Sequence, residues 1–378
     1  MVRLFNENTK HIKARMIPIY QPYLPSHVIK YAHDALDSTW ISSIGPYKQK
    51  VEELLQDMFN VKYCILTTTG TSAMHLVALS LKIHDPTIRK AIVPNNVYVA
   101  AWNCLLFNQQ YDLIAVDSNL STWNMNYDLI PKNEKIAIMA VHNIGNIIHI
   151  PNLKKRFPNA VIIEDNCEGL FGTHSDMFTG TQSLCSGASF FGNKTITSGQ
   201  GGVVFTNNAD VYKHLNKIHA QGQTDIAYLH DVMGYNYRMS NIQAALLYGQ
   251  LKHINEITEK KAAIFDIYRN KFANHNLIYA QEQEQDTRHS NWMMGIRIIN
   301  NHYEKCRQFA HENGFDVRPM FFPISKHQHL THIRSVGGEY CANMLKNEVV
   351  MLPSYPDLTC DQVRHIADSI LRYVDNMF

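Results

Sequence analysis

The chain has 378 residues, 45% apolar and 18% charged, with a formal net charge of +2. Such a composition excludes a disordered protein, and the balanced charge excludes one whose main partner is a nucleic acid backbone. The seven cysteines are scattered and form no C-x-x-C pair, so the expectation is neither a disulfide framework nor a thiolate zinc site, but a reducing, cytoplasmic compartment.

Met1 to Arg15 is polar and lacks the apolar core of a signal peptide, so residues 1–16 are expected to form a loose arm. Prolines 18, 22 and 25 hold the next stretch extended. Ser26 is a candidate N-cap for a helix carrying Val28, Tyr31, Ala32, Ala35 and Leu36 on one face, and a second amphipathic helix is predicted from about Tyr47 to Phe59. Strands and helices then alternate. Strands are predicted at 63–67, 90–94, 113–116, 136–141, 161–164, 187–191 and 203–205; helices at 69–81, 97–107, 153–157 and 210–220 separate them. This alternation implies an α/β fold with a mainly parallel, seven-stranded sheet covered by helices on both faces. Ligands of such sheets bind beyond the carboxyl ends of strands, where Gly70, Pro94, His142, Asp165 and Lys194 fall. A long helical pattern over Met239–Phe272 leads to a different texture: a strand at 292–299, a helix at 303–313 and a last helix at 361–373. The expected domains are 17–254 and a smaller α+β unit, 255–378. No window reaches the ~18 apolar residues that would span a membrane.

Two residues in the stretch 161–207 carry the chemistry. Lys194 lies in Gly192-Asn193-Lys194-Thr195, shortly before Gly199-Gln200-Gly201-Gly202, where small residues let a ligand approach the backbone. A lysine in such a place can bond a carbonyl carbon. Asp165 ends the apolar run Val161-Ile162-Ile163-Glu164, and a carboxylate at a core edge needs a cationic partner, such as a protonated pyridine nitrogen. Thr69-Gly70-Thr71-Ser72 at a helix start offers free amides to a phosphate, Ser189 can add a hydroxyl, and Tyr98 can stack on a flat ring. The twenty histidines form no H-E-x-x-H set, and no metal is expected. There is no G-x-G-x-x-G after a strand and no G-x-S-x-G elbow.

These motifs join others: Tyr20-Gln21-Pro22, Asp37-Ser38-Thr39-Trp40-Ile41-Ser42-Ser43, Ser189-Phe190-Phe191-Gly192-Asn193-Lys194-Thr195-Ile196-Thr197, and the run from His230 to Ala245 that contains Tyr235-Asn236-Tyr237-Arg238-Met239-Ser240-Asn241. With them the chain, from about Ile17 to its last helix, resembles the nucleotide-sugar aminotransferases of the DegT/DnrJ/EryC1/StrS family, and among these the perosamine synthetases. The resemblance implies a fold-type I transferase that uses pyridoxal 5'-phosphate, with pyridoxamine 5'-phosphate as the intermediate form. It implies Lys194 as the lysine bonded to the cofactor, Asp165 on the pyridine nitrogen, Glu168 near the phenolic oxygen and Tyr98 stacked on the ring. The Gly70, Thr71 and Ser72 backbone, with Ser189, would cradle the phosphate. Asn241 would reach the phosphate from the neighbouring subunit of a homodimer. Relatives that act as 3-dehydratases carry histidine at the lysine position, so Lys194 favours amino transfer.

The implied activity is a C4-aminotransferase that converts a nucleotide-linked 4-keto-6-deoxyhexose to a 4-amino-4,6-dideoxy sugar of perosamine or viosamine type, with glutamate as donor. Its alternatives are a C3-aminotransferase on a 3-keto sugar and a non-catalytic, cofactor-binding regulator. Trp40, Arg238, Arg318 and His327 are the candidates for sugar or diphosphate contacts, two arginines suiting a diphosphate. Three departures from the family pattern stand out: Gln200 in place of glutamate, Asn143-Ile144 in place of Leu-Tyr, and Ser325 where relatives have a histidine.

Overall fold

The computed structural model describes residues 16–107, 110–131 and 135–377. All but the last residue of the expected N-terminal arm lies outside them. Helices α1 (Ser26–Asp37) and α2 (Pro46–Phe59) precede the alternating part of the chain. That part runs β1 (Tyr63–Thr67), α3 (Gly70–His84), β2 (Lys90–Pro94), α4 (Ala100–Leu106), β3 (Asp112–Val116), β4 (Ala137–Val141), α5 (Ile150–Arg156) and β5 (Val161–Asp165). The short hairpin β6 (Thr173–His174) and β7 (Met177–Phe178) is followed by β8 (Cys185–Ser189), β9 (Gly202–Thr206), α6 (Ala209–Ile218), α7 (Asn241–Lys252) and α8 (Ile254–Phe272). The last third contains β10 (Ile278–Tyr279), β11 (Thr287–Arg288), β12 (Met294–Ile298), α9 (Tyr303–Glu312), β13 (Arg318–Pro319), β14 (Arg334–Val336), α10 (Tyr340–Glu348), β15 (Val349–Leu352) and α11 (Cys360–Asp375).

The main sheet has the order β1-β9-β8-β5-β4-β2-β3-β14. Seven of its strands are those expected from the sequence; the eighth, β14, returns from the last third of the chain to pair in parallel with β3. Only β9 runs against the others, pairing antiparallel with β1 and β8. Because side chains alternate across a strand, neighbours in one strand serve different layers. Ile65 and Val204 pack with Met74, Val77 and Leu81 of α3, whereas Leu66, Val203 and Phe205 pack with Leu55 and Phe59 of α2 and Leu247 of α7. Each such buried side chain contributes about 1.5–3 kcal/mol, so the two helical layers are held by the strand pattern itself.

The helix ends follow local chemistry, with one correction. Ser26 is the first residue of α1 rather than its cap; Pro25 holds the N-cap position with no side-chain bond. The long helical run from Met239 is two helices, because His253 leaves helical geometry between α7 and α8. Ser240 caps α7 in a reciprocal pair with Gln243. Beyond His253 a second sheet, β10-β12-β15-β13, packs its own core of Phe265, Tyr268, Ile296, Val350, Ile366 and Ile370. We propose residue 254/255 as the domain boundary on this ground, with Ile324, Leu330 and β14 returning to the first unit.

Lys261 of α8 stitches the second layer together. It is 4% exposed, donates to the carbonyls of Trp292 (3.0 Å) and Ser354 (2.7 Å), and burial drops its ammonium to about 7. Among the described residues no helix is long and apolar enough to cross a membrane.

Candidate active site

A cavity of about 520 Å³ opens beyond the carboxyl ends of the parallel strands. Its floor carries Gly70, Thr71, Asp165, Glu168, Ser189 and Lys194; Tyr98, Arg318 and Phe321 stand around it. Seven of the nine residues expected on the cofactor therefore line one cavity. The adjacency arises because β1, β5 and β8 end at the same sheet edge, and the turn after β8 swings Lys194 back over it, its amide donating to Phe191 O at 2.9 Å.

Glu164 and Asp165 sit side by side in β5 and serve opposite faces. Asp165 lines the cavity, and its Oδ1 accepts the Cys167 amide at 3.0 Å. Burial raises its carboxyl above the ordinary value, with the Cys167 bonds and Lys194 acting the other way. Glu164 is fully buried and accepts from His142 Nε2 at 3.0 Å and the Gly180 amide at 3.0 Å. The Ile148 amide donates to His142 Nδ1, which leaves Nε2 as the donor. Burial alone would raise Glu164, but the hydrogen bonds from His142 and the Gly180 amide hold it below its ordinary value. His142 and Pro94 thus stand behind the cavity wall, His142 as the support of the β5 tip.

Glu168 is pushed up to about 7 by burial, against the pull of Lys194 and of the Ile144 amide, which donates to Oε2 at 2.8 Å. Lys194 Nζ lies 3.9 Å from Glu168 Oε1 and 4.1 Å from the centroid of the Trp292 ring. Ile144 donates its amide from a left-handed conformation (φ 56°), one that a β-branched residue adopts only under constraint from its surroundings.

At the start of α3, Thr69 caps the helix by accepting the Ser72 amide at 3.0 Å. Helix geometry leaves the Gly70 and Thr71 amides without an intrahelical acceptor, beside the cavity they line. The Ser72 hydroxyl is drawn into the cap, 2.8 Å from Thr69 Oγ1, and does not line the cavity. Gly70 is needed for space: a Cβ there would lie 2.6 Å from Ser189 Cβ and 2.7 Å from its hydroxyl.

Other expected residues lie elsewhere. Asn241 is 1% exposed, and its side chain donates to Trp40 O (2.6 Å) and accepts from the Tyr47 amide (3.0 Å) of its own chain. Trp40 stands in that loop, 56% exposed. Arg238 is half-buried beside Gln221 and Asn236. His327 packs its ring on buried Trp102 at 5.2 Å. Of the four residues expected on sugar or diphosphate, Arg318 alone borders the cavity, its guanidinium paired with Asp316 at 3.0 Å. Among the lining residues that sequence reasoning missed are Trp292, Met293, Phe321 and Met351, all from the second layer. No periodicity marks which apolar side chain of one sheet will face the mouth of another.

The donor set fits the expected cofactor. A buried carboxylate raised by burial is the group that a cationic ring nitrogen relieves, and the free amides at Gly70 and Thr71 with the Ser189 hydroxyl suit a phosphate. Away from the cavity, His27, His253 and Glu256 bring three ligating atoms within 4.8 Å, but the Lys260 ammonium is already 3.5 Å from the Glu256 carboxylate.

Comparison with known proteins places the chain in a family. The model of the DegT/DnrJ/EryC1/StrS aminotransferase family matches residues 22–371. The GDP-perosamine synthase of Escherichia coli O157:H7 is 34% identical over 365 residues, covering 94% of this chain and 98% of the relative. The GDP-perosamine synthase of Vibrio cholerae is 31% identical, covering 95% and 99%. Among solved structures, Helicobacter pylori PseC, an aminotransferase involved in the biosynthesis of pseudoaminic acid, superposes with a TM-score of 0.88 at 20% identity, over 96% of this chain and 100% of that one.

Proposed function

The chain belongs to the DegT/DnrJ/EryC1/StrS aminotransferase family, and from that premise we propose that it transfers an amino group from glutamate to C4 of a GDP-linked 4-keto-6-deoxyhexose. The product would be a 4-amino-4,6-dideoxy sugar of perosamine type, used in polysaccharide biosynthesis. The observation that carries this reading is one cavity with a lysine and a buried carboxylate on its floor, in a chain that aligns end to end with GDP-perosamine synthases.

Pyridoxal phosphate supplies the carbonyl carbon that takes up the donor's amine and the cationic ring that withdraws electrons. In the proposed assignment Lys194 Nζ would hold that carbon, and its amine would carry the proton at C4 of the sugar. Asp165 holds the ring nitrogen, and its burial keeps water from weakening the pair. The Gly70 and Thr71 amides and the Ser189 hydroxyl hold the phosphate, and Tyr98, 61% exposed at the mouth, covers the ring. Glu168 sits beside Lys194, and Arg318 is the cation placed to meet the substrate's diphosphate.

The active unit in this proposal is a cytoplasmic homodimer. Asn241 spends its amide on the Trp40–Tyr47 loop, so its contribution to a partner would pass through that loop, whose Trp40, Ile41 and Ile44 are exposed and apolar. The seven cysteines are unpaired, which suits a reducing compartment.

The test is incubation with glutamate and GDP-, UDP- and dTDP-linked 4-keto-6-deoxyhexoses, with the product's amine located by NMR. An amine at C4 of the GDP sugar is expected. A parallel incubation offers the corresponding 3-keto sugars: an amine at C3 of one of these, or release of no 2-oxoglutarate with any substrate, would replace this reading by one of its alternatives. Gly70→Val is expected to weaken pyridoxal phosphate binding about tenfold or more, because the added methyls must displace Ser189. A fluorescence titration below the variant's melting temperature, measured alongside, checks it.

A further inference from the structure

Lys194 is braced from the second layer of the protein. Trp292 is 5% exposed, and its ring centroid lies 4.1 Å from Lys194 Nζ. Its indole N–H donates to the carbonyl of Asn193, the residue before the lysine, at 2.9 Å. The ring is itself held: its backbone carbonyl accepts from Lys261 Nζ at 3.0 Å, and its amide donates to Ser290 Oγ at 3.3 Å. Ser290 Oγ in turn donates to the Glu168 carbonyl at 2.6 Å. One short segment, residues 290–292, therefore touches both Lys194 and the backbone of Glu168, whose carboxylate is 3.9 Å from the same ammonium.

An indole face attracts a cation through its quadrupole, and more strongly where water is excluded. We propose that Trp292 is a positioning residue for Lys194: its face carries Nζ whenever that nitrogen is not bonded to the cofactor, and its N–H fixes the Asn193 carbonyl. The amine then re-enters the cavity from one direction, and the second layer sets that direction. This rests on Lys194 being the cofactor-bonding lysine of the Proposed function.

The test follows capture of pyridoxal phosphate by the cofactor-free enzyme. Samples are quenched with borohydride at timed intervals, and modified Lys194 is counted by peptide mass spectrometry. Trp292→Leu removes face and N–H and is expected to slow capture roughly tenfold or more, whereas Trp292→Phe keeps a face and slows it about threefold or less. Site-specific fluorinated tryptophans at 292 keep shape and N–H while weakening the quadrupole, so the ammonium is held less and the pH of half-maximal capture is expected to fall stepwise with fluorine number. They also serve if the leucine variant does not fold. Capture at the unaltered rate in Trp292→Leu overturns the proposal, as does a flat fluorine series, which a merely structural tryptophan would give. If the unaltered protein shows no modification at Lys194, the parent assignment fails first and this one with it.

Discussion

Lys194→Ala is expected to lower turnover of glutamate and the keto sugar by roughly 10⁴-fold, because among the described residues no other side chain lining the cavity can both bond the cofactor's carbonyl carbon and shuttle the proton. The described neighbours support this expectation. Glu168, at 3.9 Å, is held by the Ile144 amide, and Trp292 has no proton to give beyond the N–H committed to Asn193. The fold should survive: the lost contacts are one long ion pair and one ring contact, worth about 1–2 kcal/mol together. Lys194→Arg separates chemistry from charge, since a guanidinium keeps the positive charge near Glu168 but does not bond a carbonyl carbon. Both variants are expected to lose the cofactor's lysine-bonded absorbance, read together with turnover and melting temperature. Turnover retained within tenfold in either would remove Lys194 from the chemistry.

Asp165→Asn is expected to reduce turnover roughly 10²–10³-fold, the rate equivalent of about 3–4 kcal/mol for losing one partner of a buried ion pair. Asparagine keeps the shape and an acceptor for the Cys167 amide, so the change isolates the charge. Its effect on stability should have the opposite sign without the cofactor. Burial raises the Asp165 carboxyl in the folded chain, so holding it ionised costs free energy at every pH above that raised value. The cofactor-free variant is therefore expected to melt higher than the unaltered protein at pH 8, while the cofactor-loaded variant melts lower. Calorimetry with and without pyridoxal phosphate checks the crossing. If both forms are destabilised alike, Asp165 is a structural acid and not the partner of a ring nitrogen.

The parts of the site legible in the sequence are those whose chemistry and position share a short stretch of chain. Asp165 ends an apolar strand, Gly70 and Thr71 open a helix, and Lys194 follows a strand in a small-residue turn, so each announces a strand-end location. Ser72 carries the same local signal but is captured by the Thr69 cap. Asn241 and Arg238 lie in the motif that resembles the family; within this chain Asn241, expected to serve the neighbouring subunit, holds Trp40 and Tyr47, and Arg238 stands half-buried near Gln221. His327 is drawn from the cavity by the buried face of Trp102.

The sequence by itself determined the layered α/β architecture, seven strands of the main sheet, the family, and the lysine and carboxylate to which the proposed function assigns the chemistry. Period-2 and period-3.6 patterns and strand-end residues are local, and local signals survive without coordinates. The tertiary structure alone decided the eighth strand from residues 334–336, the break at His253, the His142–Glu164 support behind Asp165, and the Trp292 segment against Lys194. Trp292 and Lys194 are brought together by the packing of two sheets across a cavity. That packing depends on the summed shape of many side chains, and no spacing along the chain records it.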